Sequence, residues 1–217
     1  MKKNKTKFQE NFEAIAIAIL LALFIRAFVI EPFKIPSGSM IPTLLVGDHI
    51  LVNKFKYGFR IPFTEKKVFA LNKPNRGDVI VFVYPLDKSL DFIKRVIGVE
   101  GDTVMLKGKK LYINGELYFE PYTRYLDDEP INMEIPRADF GPITVPQNSL
   151  FVLGDNRDTS RDSRFWGFVP LNLVVGKAFI IYWSNGSQNN RLPWNYPMRL
   201  FDAVIYNRWS RMGDIIH

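Results

Sequence analysis

Two serines in a short proline-flanked stretch are the residues of this chain best suited to act as nucleophiles. Ser37 and Ser39 flank a glycine in Ile-Pro-Ser-Gly-Ser-Met-Ile-Pro-Thr-Leu, residues 35–44, which we call the serine segment. Pro36 and Pro42 lack a backbone N–H and restrict φ, so the segment is neither the interior of a helix nor a central strand. A hydroxyl on such a rigid, exposed turn can be a nucleophile, although an ordinary Ser/Gly/Pro turn has the same composition.

Lys94 is the unusual residue of a predicted strand, residues 91–99, that is otherwise largely apolar. Alternation along the strand places Lys94 on the same face as Phe92 and Val96. A lysine between apolar side chains loses hydration, which favours the neutral amine and lowers its pKa. A neutral lysine beside a serine hydroxyl can accept its proton as a general base. The alternative is a lysine at the edge of the sheet whose ammonium group reaches water.

The scarcity of histidine and the absence of cysteine exclude several other kinds of site. The chain has two histidines, His49 and His217, and no cysteine. It therefore has no disulfide, no thiol nucleophile and no thiolate metal site. A serine triad would depend on His49 alone, and we expect His49, which follows a Gly-Asp turn, to be structural. We expect neither a metal nor a cofactor.

The positive charge of the chain indicates an anionic partner. The net charge is +7, which suits either a nucleic acid or an acidic lipid surface. The sequence contains no helix-turn-helix, zinc-finger or RNP pattern, and no GxxxxGK[ST] or GxGxxG run that would bind a nucleotide. We therefore expect contact with a lipid bilayer and not with nucleic acid.

An apolar run near the amino terminus predicts a membrane anchor. Residues 14–30 are apolar except for Arg26, and as a helix they would rise about 25 Å, close to the ~30 Å hydrocarbon core. A buried core helix would have a polar face, and a cleaved signal peptide would have small residues before the cut. This run has neither feature. Because basic residues precede the run, we expect residues 1–11 in the cytoplasm, 12–31 as the span, and 32–217 as a domain outside the cytoplasmic membrane.

The remainder of the chain has the pattern of a mostly β protein. We expect strands at residues 47–54, 79–84, 91–99, 145–153 and 172–183. Asn114-Gly115 between two short strands predicts a two-residue hairpin. Residues 119–142 are rich in Pro, Asp, Glu and Tyr, and we expect them to form a loop or a small β insertion.

A dense polar run follows the strand that is predicted to end at residue 153. This polar loop, residues 154–167, has the sequence Gly-Asp-Asn-Arg-Asp-Thr-Ser-Arg-Asp-Ser-Arg-Phe-Trp-Gly. We expect it to be held by its own side-chain hydrogen bonds and ion pairs. The spacing and closing glutamate of a calcium-binding loop are absent.

Together these segments resemble the bacterial type I signal peptidases, which are membrane-anchored serine proteases with a Ser–Lys dyad. The resemblance covers nearly the whole chain. It consists of the anchor, Pro-Ser-Gly-Ser-Met-x-Pro-Thr-Leu, Arg-Gly-Asp-x-x-Val-Phe, Ile-Lys-Arg-Val-x-Gly and Gly-Asp-Asn-Arg-Asp-x-Ser-x-Asp-Ser-Arg-x-Trp-Gly, in the order of that family. It implies an endopeptidase that removes signal peptides from exported preproteins after an Ala-x-Ala-type site.

The resemblance also implies roles for individual residues of the site. Ser39 would be the nucleophile and Lys94 the general base. The Ser39 N–H and the Ser37 hydroxyl would form the oxyanion hole. Ser160 would hydrogen-bond the lysine amine and orient it.

Further residues are implied to support the site or to bind substrate. Asp162 and Arg164 would form an ion pair in the polar loop, and Arg95 and Asp155 would be structural. Six apolar residues would line shallow pockets for small side chains at positions −1 and −3 of the substrate: Phe33, Ile35, Met40, Leu44, Phe92 and Ile93.

The implied fold is a catalytic core of two antiparallel β-sheets with a small insertion at about residues 107–143. Near the carboxyl terminus, Trp183, Trp194 and Trp209 could contact either the bilayer or the core. Residues 199–211 mix basic and apolar side chains and could form a short interfacial helix. We expect a monomer.

Two other functions are compatible with parts of the sequence. A self-cleaving repressor relative would share the Ser–Lys dyad on a related β fold, but the anchor and the lack of a DNA-binding helix pair argue against it. An anchored β-domain could instead bind export partners through an apolar groove. That binding domain would function normally with Ser39→Ala.

Overall fold

The computed structural model describes residues 6–60, 67–68, 72–125, 139–186 and 207–217. Its helices are α1 (Lys7–Phe28) and the short α2 (Ser163–Trp166). Its strands are β1 (Ile30–Lys34), β2 (Asp48–Asn53), β3 (Phe59–Arg60), β4 (Lys67–Val68), β5 (Val79–Val83), β6 (Asp91–Gly98), β7 (Thr103–Lys107), β8 (Lys110–Ile113), β9 (Glu116–Tyr118), β10 (Phe140–Thr144), β11 (Ser149–Leu153), β12 (Val169–Pro170) and β13 (Val174–Ser184). The described chain is therefore mostly antiparallel β-sheet behind one long helix, as predicted.

The long helix α1 begins at a capping box. Thr6 and Gln9 each accept a hydrogen bond from the other's backbone N–H, which satisfies two donors at the helix start. From Lys7 to Arg26 the helix is long and apolar enough to cross a membrane, and none of this stretch is buried. The amino-terminal residues 1–5 of the predicted tail lie outside the described residues.

The predicted span, residues 12–31, extends beyond the end of α1. The helix ends at Phe28, and Ile30 and Glu31 belong to β1, which pairs with β2. Pro32 is the reason, because the residue before a proline is sterically disfavoured in the helical region and prefers an extended conformation.

Seven antiparallel strands form the main sheet in the order β1-β2-β13-β5-β6-β11-β12. Both faces of this sheet are covered, since alternate residues of β5 enter different apolar clusters. Val79 and Val81 belong to the first cluster, and Ile80 and Phe82 to the second. The first cluster extends beneath the serine segment and so supports it from the core.

A smaller sheet has the order β10-β7-β8-β9 and contributes to a third apolar cluster shared with β6 and β11. Asn114 and Gly115 connect β8 to β9 with φ values of 55° and 85°, which the Asn-Gly pair tolerates well. The predicted hairpin is confirmed. The sheet begins at Thr103, before the expected insertion of 107–143, and residues 126–138 lie outside the described residues.

Most predicted strands are present with slightly different ends. The predictions at 47–54, 79–84, 91–99 and 172–183 are confirmed as β2, β5, β6 and β13. The last begins two residues later than predicted, because a 3-10 turn, Leu171–Leu173, precedes Val174.

The prediction of one continuous strand over 145–153 is wrong in its first part. β10 ends at Thr144 and β11 begins at Ser149, with a turn between them. Pro146 cannot donate to a sheet, and Asn148 has a φ of 54°, so the backbone leaves the extended conformation here.

The described C-terminal segment, residues 207–217, packs against the main sheet. Ile216 lies in the first apolar cluster, whereas Trp209 is 56% exposed. The expected interfacial helix at 199–211 falls mostly outside the described residues, as does Trp194.

Candidate active site

The serine segment forms an irregular turn, as predicted, and its backbone is tied at both ends. The Ile35 N–H donates to the Asp48 carbonyl (2.8 Å) and the Leu44 N–H to the Met40 carbonyl (2.9 Å). Ile35, Met40 and Leu44 lie in the first apolar cluster. Ser39, between these anchors, is only 7% exposed, so the expectation of an exposed hydroxyl is wrong for this serine.

The Lys94 amine contacts the Ser39 hydroxyl. Lys94 Nζ lies 2.8 Å from Ser39 Oγ and also donates to the Ile93 carbonyl at 2.9 Å. Burial lowers the pKa of Lys94 to about 8, and the more distant charges of Asp162 and Asp155 oppose this shift without cancelling it. An amine with this pKa is partly neutral near physiological pH and can accept a proton from the serine hydroxyl.

Lys94 lies beside a group of aromatic rings that begins with Phe92. Its Nζ lies 5.6 Å from the centre of the Phe92 ring, which confirms the predicted shared face of β6. Phe92 stacks on Tyr84 with ring centres 4.3 Å apart, and Tyr84 meets Trp166 edge-on at 5.8 Å. Loss of hydration in this setting favours the neutral amine, although the face of the Phe92 ring itself attracts a cation.

The polar loop is held by two buried arginine–aspartate pairs. Arg95 binds Asp155 through hydrogen bonds of 2.8 and 2.7 Å, and Arg164 binds Asp162 through hydrogen bonds of 2.8 and 2.9 Å. The expected Asp162–Arg164 ion pair is therefore present. Because both carboxylates are bound by arginine, neither makes a direct ion pair with Lys94.

Asp155 also joins the polar loop to the serine segment. Its Oδ2 accepts a hydrogen bond from the Thr43 hydroxyl at 2.5 Å, and Arg95 Nη2 donates to that hydroxyl at 3.1 Å. Asn156 makes further hydrogen bonds to the segment. The sequence reasoning missed Thr43 and Asn156, although both stand inside motifs it used.

Ser160 lies in the site but lacks the predicted hydrogen bond to Lys94. Its Oγ is buried and has no hydrogen-bond partner among the described residues, whereas the lysine amine is engaged by Ser39 and Ile93. Ser160 instead packs against Gly154, where an added Cβ would collide with both the Ser160 side chain and the Ser39 carbonyl oxygen. Glycine at this position permits the close approach of loop and segment.

Four of the six predicted pocket residues surround one small cavity. Phe33, Ile35, Phe92 and Ile93 line a cavity of about 40 Å³ between the end of β1 and the start of β6. A cavity of this size holds at least one water molecule. It is large enough for a methyl group.

The predicted assignment of Met40 and Leu44 to the pocket is not supported by this cavity and stays a prediction. Neither lines the cavity, and both are 0% exposed in the core. The hydrogen bond from the Leu44 N–H to the Met40 carbonyl closes a single helical turn. Residues four apart on such a turn lie on one side, and here that side faces the sheet.

The two groups predicted to bind an oxyanion have no other partner in the part of the chain that is described. Ser37 is exposed, and its hydroxyl makes no hydrogen bond to these residues. The Ser39 N–H likewise has no acceptor among them. Both donors are therefore available to a bound molecule.

His49 has structural contacts, as expected. Its ring meets that of Tyr182 at 5.9 Å between centres, and burial together with the charge of Lys34 lowers its pKa. Lys94, and not His49, is the basic group in contact with Ser39. The described residues contain no group of three or more His, Cys, Asp or Glu side chains that could hold a metal ion.

Comparisons with known proteins identify relatives of this chain. The family model described as "Signal peptidase, peptidase S26" matches residues 8–183. Signal peptidase I of Pseudomonas aeruginosa is 43% identical over 76% of this chain and 69% of that protein. Signal peptidase I of Aquifex aeolicus is 38% identical over 91% of this chain and 94% of that protein. The solved structure of a signal peptidase I from Enterococcus faecalis is 36% identical and covers 49% of this chain and 97% of that one, with a TM-score of 0.42.

The mostly antiparallel β fold and the family match together define a hydrolase of the serine protease class. The match includes both the serine segment and Lys94. The chain belongs to the signal peptidase family, peptidase S26.

Proposed function

We propose that this protein is a membrane-bound serine endopeptidase that removes amino-terminal signal peptides from exported preproteins. The relatives described above are named signal peptidase I. The observation that carries the proposal is the 2.8 Å contact between Lys94 Nζ and Ser39 Oγ in a buried setting. At the surface the same lysine would remain charged and could not act as a base near neutral pH.

The proposed reaction uses Lys94 first as a base and then as an acid. Neutral Lys94 accepts the hydroxyl proton while Ser39 Oγ attacks the scissile carbonyl carbon. The ammonium group then protonates the leaving amine as the C–N bond breaks, which leaves an ester between Ser39 and the signal peptide. A water molecule deprotonated by Lys94 hydrolyses this ester and restores the serine.

The negative oxygen of the tetrahedral intermediate needs donors that are not otherwise engaged. The Ser39 N–H and the Ser37 hydroxyl meet that requirement, since neither has an acceptor among the described residues. In other acyl-transfer enzymes one such donor contributes about 3 kcal/mol to transition-state stabilisation. We assign these two groups to the oxyanion hole.

The small cavity explains a preference for small side chains. A substrate that runs extended past residues 33–36 and 91–93 would place side chains −1 and −3 on the same face. The cavity of about 40 Å³ beside Phe33, Ile35 and Ile93 accommodates the methyl group of alanine. This supports cleavage after an Ala-x-Ala-type site.

The proposed location follows from α1 and from the charges before it. The exposed apolar helix would cross the cytoplasmic membrane once, and the basic start of the chain, MKKNKTK, would stay in the cytoplasm. The catalytic domain would then work as a monomer on the outer side, where signal peptides emerge.

Cleavage of a secretory precursor with an Ala-x-Ala site, in detergent, tests the proposal. We expect wild type to cut after the second alanine, located by amino-terminal sequencing, and Ser39→Ala and Lys94→Ala to be inactive. Ser89→Ala, at an exposed serine that bonds Asp87, is the matched control and should cleave normally. Wild-type rates in either site variant would overturn the proposal. A wild type that binds the precursor without cutting it would favour the anchored binding domain.

A further inference from the structure

One residue of the polar loop binds the peptide units on both sides of Ser39. Asn156 Nδ2 donates to the Gly38 carbonyl at 3.2 Å, and the Asn156 backbone N–H donates to the Ser39 carbonyl at 3.1 Å. Asn156 is 5% exposed, so water competes little for these bonds. No role was expected for this residue from the sequence.

The bond to Gly38 fixes a direction that matters for catalysis. The Gly38 carbonyl and the Ser39 N–H belong to one planar trans peptide unit and point in opposite directions. A donor that holds the carbonyl therefore also fixes where the N–H points. Gly38 has no Cβ to restrict rotation of this unit, so the restraint must come from outside it.

The Asn156 side chain is well placed to supply this restraint. The other hydrogen bond to the Gly38 carbonyl is the local one from the Ile41 N–H, at 3.2 Å. Asn156 Oδ1 is buried and has no partner among the described residues. The Gly38 carbonyl thus determines the orientation of the amide, because a flipped amide would place two oxygens against each other.

The backbone around Asn156 is itself held in place. The Arg157 N–H donates to the Arg124 carbonyl at 3.0 Å, and the Arg124 N–H donates to the Asp155 carbonyl at 2.8 Å. The amide group of Asn156 therefore projects from a fixed strand-like bridge towards the serine segment.

We propose that Asn156 is a positioning residue that fixes the peptide plane between Gly38 and Ser39 and so directs the Ser39 N–H at the oxyanion. This inference rests on the proposed function and deepens it. Asn156 acts through the serine segment and touches neither the substrate nor Lys94.

Kinetics of Asn156→Ala test this role. The variant loses the Nδ2 donor and keeps the backbone bond to Ser39. We expect kcat to fall roughly tenfold with KM nearly unchanged, since the lost alignment matters only in the transition state. The inhibition constant of an Ala-x-Ala peptide aldehyde, which forms a tetrahedral adduct with the serine, should rise by a similar factor. The midpoint of the pH–rate profile should not move.

Ser163→Ala is the matched control in the same loop. Ser163 is buried, and its Oγ accepts a hydrogen bond from the Val152 N–H at 3.0 Å, so this variant loses one buried bond without touching the serine segment. Its kcat should equal that of wild type. If Asn156→Ala proves unstable, Asn156→Leu, which is similar in size, lacks the donor and adds no charge near Lys94, gives the same test.

Equal losses in the Asn156 and Ser163 variants, or an unchanged aldehyde inhibition constant, would overturn the positioning role. A shifted pH midpoint would also overturn it, because it would place Asn156 in the environment of Lys94. Failure of wild type to cleave, or cleavage by Ser39→Ala, would overturn the proposed function itself.

A second, independent observation concerns the turn beside the end of α1. The Lys54 N–H donates to the Val29 carbonyl at 2.9 Å, and Lys54 Nζ lies 3.2 Å from Glu31. The adjacent Phe55 is 51% exposed and stands between Lys54 and Lys56. An exposed aromatic ring flanked by lysines suits the boundary between lipid head groups and acyl chains.

We infer that Phe55 inserts into the anionic head-group region of the bilayer that α1 spans. The turn is one hydrogen bond from the end of that helix, so it is continuous with the membrane contact. Lys56 matches the negative charge of acidic lipids. This inference rests on the membrane anchorage in the proposed function.

The absence of cysteine allows single nitroxide labels to test this insertion. The full chain would carry Phe55→Cys, Phe24→Cys in α1, or Leu117→Cys, a similarly exposed apolar residue at 61%, in vesicles of phosphatidylglycerol and phosphatidylcholine. We expect collision with oxygen, relative to a water-soluble nickel chelate, to rank Phe24 above Phe55 and Phe55 above Leu117. Equal values at Phe55 and Leu117 would overturn the inference. Exposure of Phe24 to the chelate would overturn the anchorage itself.

Discussion

Two lysines in one row of the main sheet have very different surroundings. Ile80 of β5 pairs with Lys94 of β6 on one side and with Lys177 of β13 on the other, so the three side chains share a face. Lys177 forms an ion pair with Asp78 and keeps 22% of its side chain exposed. Lys94 is 4% exposed, and among the described residues its amine hydrogen-bonds only a hydroxyl and a carbonyl. An adjacent carboxylate favours an ammonium group, whereas neutral contacts in a buried site favour the free amine.

The two carboxylates whose charges act on the pKa of Lys94 are each paired with an arginine. Asp155 is bound by Arg95, and Asp162 by Arg164. Their charges raise the pKa of Lys94 only through space, and burial outweighs them. Lys94 is thus available as a base for two reasons. It is buried, and the two aspartates near it are paired with arginines.

The largest expected effect separates the two lysines directly. Lys94→Ala should lower kcat by a factor on the order of 10³ or more, because the general base is removed. Lys177→Ala should keep kcat within about twofold, since Lys177 contacts Asp78 and not the serine. Single-turnover cleavage of an Ala-x-Ala precursor measures both. Similar losses in the two variants would mean that the ion pair of Lys177, and not the base, limits the reaction.

Removing Arg164 from its buried pair with Asp162 should leave Lys94 near an uncompensated carboxylate, as Lys177 is near Asp78. Arg164→Met leaves the Asp162 charge uncompensated, which should cost about 3–5 kcal/mol in the free energy of unfolding. It should also raise the pKa of Lys94 and shift the pH–rate profile to higher pH. The double variant Asp162→Asn/Arg164→Met removes both charges and should return the midpoint to the wild-type value or below it. An unmoved midpoint in the single variant would show that the arginine pairing is irrelevant to the base.

The pH dependence of stability should also distinguish Lys94. Its pKa is about 8 in the folded protein and 10.5 in a model peptide. Between these values the unfolded chain binds a proton that the native lysine has released, so the free energy of unfolding should rise with pH. Relative to Lys94→Met, the gain from pH 8 to 10.5 should be about 3 kcal/mol by denaturant titration. Parallel curves for wild type and variant would contradict a lowered pKa.

The smallest effect is expected from replacing Asp78, the ion-pair partner of Lys177. Asp78→Asn removes the charge that binds Lys177 and weakens the 2.6 Å hydrogen bond from the Tyr57 hydroxyl. We expect a loss of about 1–3 kcal/mol in unfolding free energy, with kcat and its pH midpoint unchanged. A decrease in kcat beyond that of the destabilisation control Ser163→Ala would show that the two lysines are coupled.

Local patterns were sufficient for much of the fold but not for the central contact between Lys94 and Ser39. Alternation along β6 predicted the face of Lys94, and Asn114-Gly115 predicted the hairpin from its backbone preferences. The pairing of Lys94 with Ser39 joins residues distant in sequence, and it came from the resemblance to a family and not from any periodicity.

The differences between the predictions and the structure concern side-chain orientations and contacts that no local sequence pattern specifies. Met40 and Leu44 are apolar and adjacent to the nucleophile, but their burial depends on which side of the turn faces the sheet. Ser160 is in the site, yet its hydroxyl orientation depends on the close approach of Gly154. Asn156 acts on main-chain carbonyls of a remote segment, and such contacts leave no trace in spacing or composition.

Titration of the lysine side chains by NMR tests the neutral base most directly. Protein labelled with ¹³C at the lysine ε carbons would be followed from pH 6 to 11, with Lys94→Met identifying the resonance of Lys94. We predict that this resonance titrates with a midpoint near 8. A midpoint above 10, where unperturbed lysines titrate (about 10.4), would contradict the central claim that burial without a carboxylate partner makes Lys94 the base.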